Sequence, residues 1–187
     1  NMADLHIKTA EVQNTALLSA AAMLLITAFG IKASLFPLFF WLPASYPALP
    51  VSLAAFFAGM LSKVGVYALI RLLTLIITAD MEMVQTILLP VASLTMLVGV
   101  VSAASQNEIR RILSFHSISQ VGYMVLGLAL YTPLALTAVI VYLVHYIIVK
   151  ANLFLVGGLI YRVGGSFNLK KAGGLYERHG LAAVCFI

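Results

Sequence analysis

Long apolar runs recur along this chain and are separated by short polar connections. Several reach about 20 residues, the length at which an α-helix crosses a hydrocarbon layer of roughly 30 Å. Lipid offers no partner to unpaired backbone amides and carbonyls, so a spanning helix pairs them internally. Charged residues make up 9% of the 187 residues, far below the roughly 25% of soluble domains. The chain is therefore predicted to be an all-α, polytopic transmembrane helix bundle, and a soluble fold is excluded.

Polar and proline-containing segments divide the chain into five complete helices and the start of a sixth. Pro37 lies within the first apolar run, so a helix break is predicted near residues 32–37. The chain begins without a signal-peptide layout and ends inside an apolar run, so we expect residues 1–187 to be an internal fragment of a longer transporter membrane domain. The predicted helices span about residues 15–42, 51–78, 83–104, 108–130, 133–162 and, incompletely, 181–187.

The formal net charge of +5 falls mainly on one side of the predicted membrane. Six basic residues lie in the connections of that side, whereas the other side has Lys8 alone. Because cytoplasmic connections carry such an excess of Lys and Arg, those near residues 43–50, 105–111 and 163–180 are predicted to face the cytoplasm of a bacterial cell. The charge then reports orientation in the plasma membrane, and no nucleic-acid partner is expected. The six residues are Arg110, Arg111, Arg162, Lys170, Lys171 and Arg178.

Three lysines lie deep inside predicted helices: Lys32, Lys63 and Lys150. Lys63 follows the start of its helix by about 12 residues, which at 1.5 Å per residue places it near the middle of the membrane. A lysine at that depth costs about 2.5–3.5 kcal/mol on insertion scales. A structural ion pair could account for one such lysine, but three at similar depth favour a functional role.

The six acidic residues all fall in connections or at helix ends, so this chain offers the amines no counter-charge within the membrane. Either a segment outside the chain supplies it, or desolvation, which disfavours the charged form, keeps the amines partly neutral. Both explanations suit an amine that takes up and releases a proton. The three lysines are therefore predicted to form a proton relay.

The fifth predicted helix adds two aromatic residues beside its lysine. Tyr146 and Lys150 are four residues apart and share a helix face, while His145 projects about 100° away from Tyr146. His145 is a candidate relay member because imidazole titrates near neutral pH. A neutral histidine bonded to a neighbouring helix is the alternative. Tyr146 is a candidate for lining a water path.

The fourth predicted helix carries a cluster of small polar and aromatic residues, of which His116, Ser119 and Tyr123 are candidates for lining water or the relay. Polar residues that only join neighbouring helices are the alternative. The single cysteine and the scattered acids have no metal-ligand spacing, so neither a metal nor a cofactor is expected.

Four stretches match a known family in order and spacing: FGIKASLFPLFFWLPASYPALPVS, AGMLSKVGVYALIR, NEIRRILSFHSISQVGYM and VHYIIVKANLFLVGG. They resemble the proton-conducting, antiporter-like subunits shared by complex I, membrane-bound hydrogenases and multi-subunit cation/proton antiporters. The resemblance implies about fourteen helices arranged as inverted repeats. This chain would hold the seventh to eleventh helices and the start of the twelfth.

The same resemblance implies roles for individual residues. It assigns proton transfer to lysines that match Lys32 and Lys63, and to a histidine and a lysine that match His145 and Lys150. It places the acidic partner of Lys32 on a helix outside this chain. The segments around Ala44 and His116 are most similar to the D-type subunits of the Na+/H+ antiporters, whereas respiratory members usually carry an aspartate at the position of Ala44.

We therefore expect a proton-translocating subunit of a multi-subunit Na+/H+ antiporter, which makes and breaks no chemical bond. Its expected partners are protons, Na+, the lipid bilayer and the other subunits of the assembly. The alternative is a proton-pumping membrane subunit of a complex I-like NADH-quinone oxidoreductase or of a membrane-bound hydrogenase.

Overall fold

The computed structural model describes residues 15–76, 81–171, 180 and 184, and within them every extended element is a helix. This confirms the predicted all-α fold. The incomplete helix predicted at 181–187 lies outside the described residues except for residue 184. The helices are α1 Thr15–Ala33, α2 Trp41–Ser45, α3 Val51–Leu75, α4 Met81–Ala104, α5 Ile109–Leu130 and α6 Pro133–Gly164, with a 3-10 turn at Tyr46–Ala48.

Four of these helices, α3 to α6, are long and apolar enough to cross a membrane, and the described part of α1 is a shorter apolar helix. Large apolar side chains remain exposed around the bundle, for example Leu24, Phe40 and Leu134. An exposed surface of this kind suits lipid or a neighbouring membrane helix and would be unfavourable in water. These features are those of an integral membrane protein.

The first predicted helix, residues 15–42, is interrupted as expected. Helix α1 ends at Ala33, Ser34 takes a left-handed backbone conformation with φ of 70°, and the chain becomes helical again at Trp41. Pro37 explains why α1 does not continue, because proline has no N–H to bond the carbonyl four residues before it. The amide of Leu35 instead donates to the Gly30 carbonyl at 2.9 Å, which closes the end of α1.

The irregular backbone after α1 is paired by side chains of the bundle and within the segment itself. The Phe36 amide donates to the hydroxyl of Thr95 on α4 at 3.0 Å, and that hydroxyl in turn donates to a carbonyl of its own helix. The indole Nε1 of Trp41 donates to the Ile31 carbonyl at 2.8 Å. These bonds make a helix break tolerable at membrane depth, where unpaired backbone groups are costly.

Helices α5 and α6 form an antiparallel pair connected at both ends. A two-residue turn, Tyr131–Thr132, joins them at one end. At the other end, the segment after α6 pairs with the segment before α5: the Ile109 amide donates to the Phe167 carbonyl at 3.0 Å, and the Leu169 amide to a carbonyl of that segment at 2.9 Å. Gly165, with φ of 69°, makes the turn out of α6, which therefore ends two residues later than predicted.

Glycine positions set the closest helix approaches. A Cβ on Gly65 of α3 would lie 2.6 Å from the backbone nitrogen of Ala33, at the end of α1. A Cβ on Gly99 of α4 would lie 2.5 Å from the backbone nitrogen of Ser119 on α5. Small residues at such contacts let backbones approach closely, which is the usual way in which membrane helices associate. Gly65 therefore places the end of α1 against α3.

Replacing Gly65 with alanine tests this contact. The added methyl group has to displace the backbone of α1, so we expect a loss of about 1–3 kcal/mol and a lower melting temperature of the full-length protein in detergent. Gly157→Ala is the matched control, because a Cβ there meets its nearest neighbour at 3.5 Å and also gains helix propensity. Equal melting temperatures for the two variants would show that α1 does not press on Gly65.

Candidate functional site

Two of the predicted relay lysines are buried side by side within the bundle. Lys63 of α3 is 1% exposed and Lys150 of α6 is 0% exposed. The Nζ of Lys63 donates to the Ala58 carbonyl at 2.6 Å, and the Nζ of Lys150 donates to the Leu113 carbonyl of α5 at 2.7 Å. Each amine therefore has a backbone acceptor in place of water, which reduces the desolvation cost that the sequence predicts.

A close contact between α3 and α6 brings these lysines to one interface. A Cβ on Gly59 would lie 3.3 Å from the Ile147 carbonyl and 3.6 Å from the Cβ of Ala151. Gly59 and Lys63 are four residues apart on α3, as are Ile147 and Ala151 on α6, so each pair lies along one helix face. The small residue on α3 lets α6 approach and leaves the longer lysine stems to fill the adjacent space.

The ring of Tyr146 lies close to both amines. Its centroid is 5.0 Å from the Nζ of Lys63 and 5.6 Å from the Nζ of Lys150. Both distances lie within the range of a cation–π interaction, which stabilises a charged amine through the negative face of the ring. The ring of Phe154 lies 5.9 Å from the second amine. Tyr146 itself is buried, so this contact is shielded from solvent.

A hydrogen-bonded chain runs from Tyr146 across to α5. The Tyr146 hydroxyl lies 3.0 Å from Nδ1 of His116, and Nε2 of His116 lies 3.3 Å from Nε2 of Gln120. The hydroxyl of Tyr142 donates to Oε1 of Gln120. Tyr146 and Tyr142 of α6 thus form the two ends of this hydrogen-bonded chain, and His116 and Gln120 of α5 form its middle. This order follows the antiparallel register of the two helices.

Gln120 and Tyr142 were not among the predicted site residues. Their spacing carries a signal, because Gln120 follows His116 by four residues and Tyr142 precedes Tyr146 by four, so each pair shares a helix face. What the sequence lacks is the pairing between the two helices, which depends on their rotation.

No carboxylate among the described residues balances the two amines. The described acids are Glu82 and Glu108; Glu108 forms salt bridges with Arg110 and Arg111, and neither acid pairs with Lys63 or Lys150. An ammonium has three donors, and each lysine uses one of them on a carbonyl. A neutral amine can donate the same hydrogen bond, so each lysine keeps its bond to the carbonyl in either protonation state.

The structure places Lys32 apart from this cluster. Its side chain is exposed on the described surface, in the last turn of α1. It borders a cavity of about 300 Å³ that is also lined by Ala28, Ile31, Trp41 and Leu61. The end of a helix carries partial negative charge from its unpaired carbonyls, so the break gives this amine a favourable electrostatic position.

The remaining predicted residues fall in three different places. His145 is exposed on the described surface and is not part of the hydrogen-bonded chain, whereas its neighbour Tyr146 is buried within it. Ser119 is buried against Gly99 of α4. Tyr123 is half exposed and lines a cleft of about 810 Å³ between α5 and α6. The structure therefore brings together Lys63, Tyr146, Lys150 and His116.

These features define an integral membrane protein with a cationic, hydrogen-bonded cluster enclosed by apolar spanning helices. The whole chain, residues 1–187, matches the family model described as "NADH:quinone oxidoreductase/Mrp antiporter, TM". The chain therefore belongs to this family of membrane proteins, as its sequence motifs indicated.

Similar proteins include members of membrane complexes. The chain is 49% identical to the D-type subunit of the Na+/H+ antiporter of Alkalihalophilus pseudofirmus over 186 residues, which is 100% of this chain and 38% of that protein. It superimposes on a chain of the Mrp complex from Dietzia sp. DQ12-45-1b with a TM-score of 0.89 and 37% identity, covering 100% of this chain and 34% of that one.

A chain of the membrane-bound sulfane sulfur reductase, an archaeal respiratory membrane complex, is also similar, with a TM-score of 0.91 and 28% identity over 100% of this chain and 38% of that one. The chain thus spans little more than a third of the length of the relatives that it matches.

Replacing Lys150 with methionine tests whether this lysine stabilises the fold. Methionine fills a similar volume without a desolvated amine, so we expect stability to be unchanged or to rise by about 1–3 kcal/mol. The melting temperature of the full-length protein in detergent measures this. Phe154→Ala, which removes an apolar side chain buried to the same degree, is the contrasting variant and should destabilise by about 3–5 kcal/mol. A large loss of stability in the methionine variant would identify Lys150 as a structural anchor.

Proposed function

We propose that this chain is part of the proton-translocating subunit of a multi-subunit Na+/H+ antiporter and that Lys63 and Lys150 carry the proton through the middle of the membrane. The observation that carries the proposal is the pair of buried amines on one tyrosine ring, with no acidic partner among the described residues. The similarity to the D-type subunit of such an antiporter and to the Mrp complex chain supports it.

Repulsion between the amines supplies the coupling. Both lie near the same ring, so their separation is at most the sum of the two distances to its centroid. Two unit charges about 10 Å apart repel by about 1.7 kcal/mol at an effective dielectric constant of about 20, which is slightly more than a tenfold change in proton affinity. Protonation of one lysine therefore makes the other release its proton more readily, and a proton arriving at one end favours departure at the other.

The aromatic ring and the histidine keep the two protonation sites distinct. Tyr146 lies close to both amines and cannot hold a proton for long at neutral pH, since a phenol is a weak base and a weak acid there. Proton transfer between the lysines then uses rotation of their flexible stems or water that enters the cluster. His116, hydrogen-bonded to the Tyr146 hydroxyl, offers a further acceptor beside this route.

Lys32 is proposed as the third member of the row. The cavity beside the helix break borders Lys32, and water in it would reach the amine. An acidic side chain on a segment outside this chain would set its protonation state. His145, exposed on the described surface of α6, is proposed to connect the row to such a neighbouring segment.

The proposed setting is a bacterial plasma membrane, with other antiporter subunits around this one. The connections near residues 43–50, 105–111 and 163–180 face the cytoplasm, as the excess of basic residues there favours. The protein acts as a transporter subunit in this proposal, with Na+ as the exchanged cation.

A redox-driven proton pump is the second candidate. The similarity to the sulfane sulfur reductase chain favours it, because that protein belongs to a respiratory membrane complex. In such an assembly the same lysines would move protons in response to electron transfer elsewhere. Ala44, which replaces the aspartate usual in respiratory members, favours the antiporter.

Substituting Lys63 with alanine tests the relay. In inverted membrane vesicles with the full-length protein and its partner subunits, an internal pH dye reports proton movement after a Na+ pulse. We expect exchange to fall by at least about a hundredfold, because an essential proton-transfer group typically contributes that much. Lys171→Ala, the same change at an exposed lysine, is the control. Wild-type exchange in the Lys63 variant would contradict the relay, whereas proton uptake driven only by a reduced electron donor would favour the redox-driven pump.

Tyr146→Phe removes the hydroxyl and keeps the aromatic ring, so it tests the role of the hydroxyl alone. The ring keeps its place against the lysines, but Nδ1 of His116 loses its partner, so we expect exchange to fall by about tenfold and stability by about 1–3 kcal/mol. The vesicle assay and detergent melting measure the two effects. Tyr161→Phe is the control, since that tyrosine is partly exposed and its ring stacks on Phe167. Unchanged exchange in Tyr146→Phe would remove the hydroxyl from the mechanism.

A further inference from the structure

The hydrogen-bonded chain that begins at Tyr146 ends in the cleft between α5 and α6. Gln120 and Tyr142 both line this cleft, together with Tyr123 and otherwise mainly apolar residues. This hydrogen-bonded chain therefore joins the buried lysine pair to a cleft of about 810 Å³, which is larger than the cavity beside Lys32. Gln120 is the central group of the chain, because it contacts both His116 and Tyr142.

In the structure, each group of this hydrogen-bonded chain donates to the next one, in the order Tyr142, Gln120, His116 and Tyr146. Oε1 of Gln120 accepts from the Tyr142 hydroxyl, so its Nε2 faces His116 and donates to the ring. An amide nitrogen only donates, so Nε2 of His116 must be the unprotonated acceptor and Nδ1 must carry the proton. Nδ1 then donates to the oxygen of Tyr146. Gln120 thus fixes the tautomer of a neutral His116.

The opposite direction satisfies the same groups equally well. If the Gln120 amide turns over, Oε1 accepts from a protonated Nε2 of His116, and the amide nitrogen donates to the Tyr142 oxygen. Nδ1 can then accept from the Tyr146 hydroxyl. A doubly protonated His116 requires this second arrangement, since both of its nitrogens donate and the amide nitrogen facing the ring in the first arrangement has no lone pair to offer.

We propose that Gln120 is a positioning residue with two amide orientations, which set the proton-bearing nitrogen of His116 and link its protonation to the Tyr142 hydroxyl at the cleft. The proposal rests on the relay of the proposed function. Gln120 holds no proton itself, and its orientation decides whether His116 can accept one.

The charged and titratable groups around His116 come from three helices. Lys63 of α3 and Lys150 of α6 are the amines near the Tyr146 ring, and a protonated amine repels positive charge on His116. Tyr146 and Tyr142 of α6 are the phenols in or at the hydrogen-bonded chain, and Tyr123 lies on α5 itself. Neutral lysines remove this repulsion, and the reversed amide supplies the acceptor that a doubly protonated His116 needs.

Two substitutions at Gln120 test this in the full-length protein with its partner subunits in inverted vesicles. Gln120→Glu replaces the amide with a carboxylate, so that both terminal atoms of the side chain accept hydrogen bonds. Its negative charge stabilises a doubly protonated His116. We expect its pH profile of exchange to move by about one unit or more towards higher pH, with the KM for Na+ unchanged. Gln120→Met keeps the length but removes both functions, and its maximal rate should fall by about tenfold with the same KM.

Gln106→Glu is the matched control, because it makes the same chemical change in the connection before α5, where the side-chain amide donates to Ser105. Its pH profile should equal that of the wild type. Tyr142→Phe is the second variant and removes one hydroxyl from the half-buried end of the chain. Its maximal rate should fall by roughly threefold without a change in KM.

An unshifted pH profile in an assembled Gln120→Glu variant would overturn the proposal, even if the rate fell uniformly, because a purely structural glutamine gives that result. If Gln120→Glu does not assemble, a wild-type rate in Tyr142→Phe overturns it instead. Either outcome, found together with loss of exchange in Lys63→Ala, leaves the lysine relay intact. Retained exchange in Lys63→Ala would contradict the proposed function, whatever the Gln120 variants show.

Discussion

The burial of two amines among apolar helices is the constraint on which the rest of this structure depends. An ammonium within a bilayer loses its hydration and has to find replacement partners from the protein. Here the replacements are one carbonyl each for Lys63 and Lys150 and a shared aromatic face. These partners are dipoles and a quadrupole without net charge, so they stabilise the amines without permanently fixing their protonation. A carboxylate would hold the charge more firmly and make release of the proton more difficult.

The same constraint explains the small residues and hydroxyls near the site. Gly59 and Gly65 let α3 approach α6 and the end of α1 closely, as small residues do between membrane helices. Thr95 pairs an amide at the break in the first helix and so allows irregular backbone beside Lys32. Side chains that look unrelated in the sequence therefore meet one requirement: every polar group in the apolar region needs a partner.

The sequence predicted much of the fold, because apolar runs of spanning length and a proline within a helix act locally. Helix positions and the break near residues 32–37 follow from that information. The pairing of His116 with Tyr146 depends on how two helices rotate against each other, which no local pattern specifies. His145 and Tyr146 are neighbours in sequence, yet one is exposed and the other buried, because a residue step turns a helix by about 100°. The sequence offered both residues as candidates, and only the packing distinguishes them.

The double connection between α5 and α6 has a mechanical consequence. A two-residue turn joins one pair of ends and backbone hydrogen bonds tie the other, so the two helices form a closed ring. Sliding one helix along the other would strain the two-residue turn and break the two backbone hydrogen bonds at the opposite end. These connections oppose sliding and so keep His116 opposite Tyr146. In the proposed relay, a change of state within this pair of helices would then come from turning an amide or a lysine stem, without movement of the helices.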